Sequence, residues 1–179
     1  MALALTSSAL LVGCTGVADP SAAPSAQPSA SASDEAQVQE YVDEESGFAI
    51  DFPQDWEVDA DAQGVAVRAL PPQEETGFAD NVTVIVDDTT AGTKEQYLDT
   101  ALSSAPTLVD DFELVRREVV GDVGLFEFTA SAQGSPLHVL VGVVVVDGQA
   151  YVASFTATSQ TYDERRQTAE RVLRSLRPA

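Results

Sequence analysis

A single cysteine, a single histidine and nine basic residues against 29 acidic ones set the first limits on this 179-residue chain. One cysteine cannot close an intramolecular disulfide, and it cannot build a zinc site, which needs a cluster of Cys and His. With one histidine, any nucleophile–base pair must use His138 or do without it. The Gly-x-Ser-x-Gly elbow of many hydrolases is missing as well. A formal net charge of −20 argues against nucleic acid, whose phosphates are met by Lys and Arg. No segment after the first residues approaches the run of about 20 apolar residues that spans a bilayer.

What is present begins with the cysteine. Leu11-Val12-Gly13-Cys14 closes the uncharged, apolar stretch MALALTSSALLVG and has the residue types of a bacterial lipobox. Residues 1–13 therefore read as a lipoprotein signal peptide and Cys14 as the lipidated N-terminus of the mature protein. The signal has no Lys or Arg ahead of its apolar run, so the true start codon is expected upstream of Met1. Two or three acyl chains on Cys14 give stable membrane anchoring where one chain is reversible. The expected location is the outer face of the cell membrane, reached by export, with the membrane contacted through the lipid alone.

A tether follows, over residues 14–40. TGVADPSAAPSAQPSASAS spaces Pro20, Pro24 and Pro28 among Ala and Ser and has almost nothing to bury, so it reads as disordered. The acidic segment DEAQVQEYVDEE then reads as a loose turn or short helix, and the folded domain is expected over residues 41–179.

Within that domain the periodicity changes from coil to strand. Phe48, Ile50 and Phe52 alternate with Ala49 and Asp51, and Pro53 ends the run. Trp56 and Val58 begin a second strand, and a turn at Asp59–Gly64 leads into Val65, Val67 and Ala69. NVTVIVDD is the next strand. Thr93 and Gln96 form a capping box ahead of a helix whose Tyr97, Leu98, Ala101, Leu102 and Ala105 share one face, with Pro106 as its stop. Strands resume in DFELVRREVV and LFEFTA. PLHVLVGVVVV is apolar on both faces, as befits a central strand, and Asp147-Gly148 turns it into QAYVASFTAT. Thr161 and Glu164 cap a last helix with Tyr162, Ala169, Val172, Leu173 and Leu176 on its apolar side. The fold class is α+β: an antiparallel sheet of about six or seven strands packed with two helices.

Gly-Phe-x-Ile-x-Phe-Pro-x-x-Trp, Gly47 to Trp56, resembles the PsbP-like fold when joined to strands, a helix, the DGQAYVASFTAT hairpin and a final helix ending in RSLRP. Actinobacterial lipoproteins of the LpqN type are similar in combining a lipobox, an Ala/Pro/Ser tether and a domain of this size. The resemblance covers about Tyr41 to Pro178. It implies a non-enzymatic accessory or binding protein, and it brings no active site to carry over.

Residue chemistry agrees in offering little. His138 alternates with Leu137 and Val139 and reads as a half-buried sheet residue. Ser135 sits in a Gly-Ser-Pro turn. Asp59-x-Asp61-x-Gln63-Gly64 matches the opening of a calcium loop, but the twelfth position is Leu70 where a bidentate Glu belongs, so it reads as a plain turn and no metal or cofactor is expected. Arg165, Arg166, Arg171, Arg174 and Arg177 are five of the nine basic residues and gather on the last helix. They read as partners of Asp163, Glu170 and the acidic sheet rather than as a docking stripe.

Two functions fit. One is a non-catalytic interaction module serving an envelope protein partner. The other is a carrier of a lipid or small apolar ligand in a pocket between helix and sheet, with Trp56, Phe78, Phe112 and Tyr151 as candidate lining residues. A sizeable apolar cavity with a mouth separates them.

Overall fold

The hairpin around Asp147-Gly148 is the centre of the molecule. β8 (Ser135–Val146) and β9 (Gln149–Thr158) pair in register from Val146↔Gln149 outward. Asp147 and Gly148 both have positive φ, as the expected two-residue turn requires. The structure, a computed structural model, describes residues 37–72 and 78–179. The signal peptide, Cys14 and the tether up to residue 36 lie outside the described residues.

Seven antiparallel strands run in the order β3-β4-β5-β9-β8-β7-β6. To the hairpin they add β3 (Glu57–Asp59), β4 (Val67–Leu70), β5 (Asn81–Asp88), β6 (Asp110–Val120) and β7 (Val123–Ala132). Three more strands form a separate sheet: β1 (Val38–Asp43), β2 (Phe48–Pro53) and β10 (Arg177–Pro178), with β2 in the middle. Within the acidic segment expected as a turn or short helix, Val38–Asp43 is therefore β1. Its Tyr41 lies opposite Ile50, and the pairing supplies the strand signal that its polar sequence lacks.

Alternation along the central strands gives each face of the large sheet its own core. Leu125, Leu140, Val144, Tyr151, Ala153 and Phe155 point to one side, where α2 (Tyr162–Arg174) and the small sheet cover them with Val172, Leu173, Phe48, Ile50 and Phe52. Phe126, Phe128, Val139, Val141 and Val152 point to the other side, toward α1 (Lys94–Leu108). β8 has β7 and β9 as neighbours and a helix on each face, the place its two apolar faces predict.

Helix ends and one turn differ from the sequence expectation. α1 continues through Pro106 to Leu108, because a proline in the last turn removes one hydrogen bond from a ladder that is ending anyway. Thr161 makes no side-chain cap at α2: its hydroxyl donates to Asp80 Oδ1 at 2.9 Å. Ser135 and Pro136 belong to β8, and the β7–β8 turn is Gln133-Gly134, both with positive φ.

Candidate functional site

Between α1 and the large sheet lies an open groove of about 780 Å3. Its floor is Phe126, Phe128 and Ala130 of β7, Val139 and Val141 of β8, and Val152, Ser154 and Thr156 of β9. Its roof is α1, through Tyr97, Ala101, Ser104, Ala105 and Leu108. The gap follows from side-chain size. α1 turns small residues toward a floor of Phe and Val, so helix and sheet meet closely where a large residue bridges them, and Tyr97, Ala101 and Leu102 add partly buried contacts.

That bridge is Leu98, the one fully buried residue of α1. It rests over Gly124 of β7, where an added Cβ would stand 2.8 Å from Leu98 Cδ1. Two polar contacts hold the same end of the helix. The Tyr97 hydroxyl donates to Asp87 Oδ2 of β5 at 3.2 Å, and Arg117 of β6 reaches Asp99 at 2.7 Å and the Glu95 carbonyl at 3.1 Å. Burial, followed by the charge of Asp87 and this hydrogen bond, pushes the Tyr97 phenol up to about 12. Among the described residues Asp87 is the only charged one lining the groove, and the other polar groups there are hydroxyls and one amide.

The four aromatic residues expected to line a pocket are not brought together. Trp56 stacks on Phe52 and Tyr151 packs on Phe48, both in the core under α2. Phe112 packs on Phe128 with ring centres 5.1 Å apart on the α1 side, next to the groove but outside its lining. Phe78 is exposed ahead of β5. The groove residues that sequence reasoning missed carried a usable signal, since the second apolar face of PLHVLVGVVVV needs a cover larger than the alanines and serines of α1.

A second constellation lies on the opposite face and was also missed. Glu127 of β7 is 3 % exposed, between the two phenylalanines of LFEF but turned the other way. Arg116 of β6 donates to it from Nε at 2.5 Å, and Arg166 of α2 lies 3.6 Å away. His138 Nε2 comes within 2.8 Å of Glu127 Oε1 without the alignment of a hydrogen bond, its ring stacked 3.6 Å from that of Tyr162. Burial alone would raise the Glu127 carboxyl; the Arg116 hydrogen bond, the nearby Tyr162 hydroxyl and the charges of Arg166 and Arg116 outweigh it and hold it below the usual range. Arg116 and Arg174 both reach Glu118 and Glu170, which ties β6 to α2.

Four of the five arginines gathered near the last helix meet acids in this way, whereas Arg171, among the described residues, donates only to the Thr168 hydroxyl at 3.2 Å. Arg165 lies 3.0 Å from Asp80, and Arg177, just past the helix, pairs with Asp51 and Glu40. The acids they meet are mostly on the sheets, and Asp163 takes no part in the ion pairs of the described residues. Asp59 of the calcium-like turn is held by Arg68 at 2.9 Å. Among the described residues no group of three or more His, Cys, Asp or Glu is placed to hold a metal ion, and no helix is long and apolar enough to cross a membrane.

No family model matches the sequence, and no curated protein matches it. Solved structures do. Cyanobacterial PsbP (CyanoP) from Synechocystis is 18 % identical, with a TM-score of 0.57 over 80 % of this chain and 94 % of its own. LpqN of Mycobacterium tuberculosis, described as involved in cell envelope biogenesis, is 14 % identical, with a TM-score of 0.57 over 78 % of this chain and 90 % of its own. PA94 from Pseudomonas aeruginosa is 13 % identical, with a TM-score of 0.57 over 79 % of this chain and 97 % of its own. At such identities the likeness is one of architecture, and it shows that this chain has a PsbP-like fold.

Proposed function

We propose that the protein is an exported, membrane-anchored, non-catalytic accessory protein of the cell envelope that works by holding a small apolar ligand in the groove under α1. The groove is the observation that carries this reading. It has the size range of ligand sites, an apolar floor and a few hydroxyls that can orient a guest. The lipobox supports the anchor, and the description of LpqN as an envelope protein supports the setting.

Docking on an envelope protein is the weaker reading. The longest free strand edge, β6, exposes Val115 and Val119, but its pairing is broken between Asp110 and Glu113 and again between Leu114 and Arg116. Bulges of this kind turn an edge away from strand addition.

Nile red, a neutral apolar dye, tests the groove. Uptake by the protein is expected to brighten its fluorescence, and Ser154→Trp, which fills the floor from β9, is expected to weaken uptake by about tenfold or more, equivalent to ~1.4 kcal/mol. An unchanged affinity in a folded Ser154→Trp protein places the dye elsewhere and removes this reading. Cys14→Ser tests the anchor. The protein is expected to leave the membrane fraction for the medium, and continued membrane retention excludes lipid attachment at Cys14.

A further inference from the structure

The two halves of α1 are held very differently. Its first half is fixed from three directions: Leu98 on Gly124 below, Tyr97 to Asp87 on one side, and Asp99 and Glu95 to Arg117 on the other. Its second half, Ser103–Leu108, contributes no residue to those packed on the apolar core; after Leu102 the next is Val109. Yet Ser104, Ala105 and Leu108 roof the groove. Leu108 is 76 % exposed although it is the largest apolar side chain of that half.

The sequence of this half also weakens the helix from within. Ser103 and Ser104 each turn the hydroxyl back to the carbonyl four residues earlier, as Thr100 does just ahead of them, and Thr107 turns to the one three earlier. Such back-bonding bends and slightly destabilises a helix. Pro106 leaves the Leu102 carbonyl without its helical donor. Beyond the helix the backbone is already jointed: Val109 is extended, Asp111 has φ +54°, and the β6–β7 register shifts between Asp110 and Glu113. The roof thus ends in a left-handed residue and a bulge, a connection able to absorb a change of direction.

We propose that Ser103–Leu108 is a lid, which unwinds or swings off the β7–β9 floor while the first half of α1 stays fixed, and so admits and releases the guest of the groove. This rests on the ligand reading above, and the test separates the two. Amide hydrogen exchange followed by mass spectrometry on the full chain reads the lid without any ligand. Amides of residues 105 and 107–109 are expected to exchange about 100-fold faster than those of residues 98–102 and of α2, because locally frayed segments open far below the global unfolding free energy. Equal protection along α1 overturns the lid, whatever the dye does.

The second measurement ties the motion to binding. A variant carrying Ser103→Ala, Ser104→Ala, Pro106→Ala and Thr107→Ala replaces weak helix formers by the strongest one and is expected to slow exchange of residues 105 and 107–109 by about tenfold. Nile red association and dissociation are then expected to slow together, by ~5-fold or more, with the affinity kept within about twofold, since a gate alters both rates and not their ratio. Slower exchange with unchanged dye rates shows that the guest does not pass this way and overturns the lid. Fast exchange of the roof with no dye uptake at all overturns the ligand reading and leaves the lid without a role.

Discussion

Glu127→Ala is expected to lower the unfolding free energy by about 3–5 kcal/mol, the loss seen when one partner of a buried ion pair is removed. The size comes from what is left behind. Arg116, Arg166 and His138 all converge on this carboxylate at the joint between β6, β7, β8 and α2. Without it Arg116 keeps Glu118 and Glu170 but loses its Nε partner beneath the helix. A urea titration reads the effect as a lower midpoint with unchanged slope. Replacing both partners by apolar residues, Glu127→Leu with Arg116→Met, is expected to recover most of the loss, because paired hydrophobic residues need no desolvation of charge. A single-mutant loss below about 1 kcal/mol would show that the cluster is solvated and contributes little.

Acid should narrow the same gap. The Glu127 carboxyl is held below its ordinary value in the folded protein. A depressed carboxylate contributes stability that is fully present above the unfolded value of about 4.3 and is lost as pH falls through the lower, folded value. The difference between the parent protein and Glu127→Gln is therefore largest near neutrality and shrinks below pH ~4.

Local chemistry wrote some parts of this fold plainly and others not at all. The β8–β9 hairpin was legible because Asp147-Gly148 and two apolar flanks act within a few residues of each other. The start of α1 was legible for the same reason: Thr93 accepts from the Gln96 amide, and Gln96 in turn accepts from the Gly92 amide. β1 was not, because Val38–Asp43 is acidic and becomes a strand only by pairing with β2. Glu127 shows the harder case. Its partner Arg116 arrives opposite it through the register shift after Leu114, and no counting of alternate residues along β6 yields that placement. A space between helix and sheet belonged to one of the two readings the sequence left open, and its lining residues were not legible, since an aromatic side chain is as much at home in a core as in a site. The groove exists where α1 presents Ala101, Ser104 and Ala105 and leaves the floor unfilled.

Leu98→Ala is expected to have the largest effect on the site itself. Leu98 is fully buried and sits so close over Gly124 that no slack exists in the seat. Truncation of a buried leucine costs about 2–5 kcal/mol, more where the surroundings cannot collapse into the space. Here the floor of the cavity is backbone, and the polar contacts of Tyr97 and Arg117 hold the helix at its height, so the void cannot close easily. Gly124→Ala does the opposite. Its Cβ would meet Leu98 Cδ1 at 2.8 Å, an overpacking of the kind that costs about 1–3 kcal/mol. The two changes together restore a methyl group where the leucine was cut back. The double variant is expected to be more stable than the sum of the singles by about 1 kcal/mol or more, a coupling that only contacting residues show. Strict additivity would mean that α1 does not rest on Gly124. Because α1 roofs the groove, Leu98→Ala is also expected to abolish Nile red uptake while Gly124→Ala alone reduces it. The double variant, with the helix reseated, should bind the dye again.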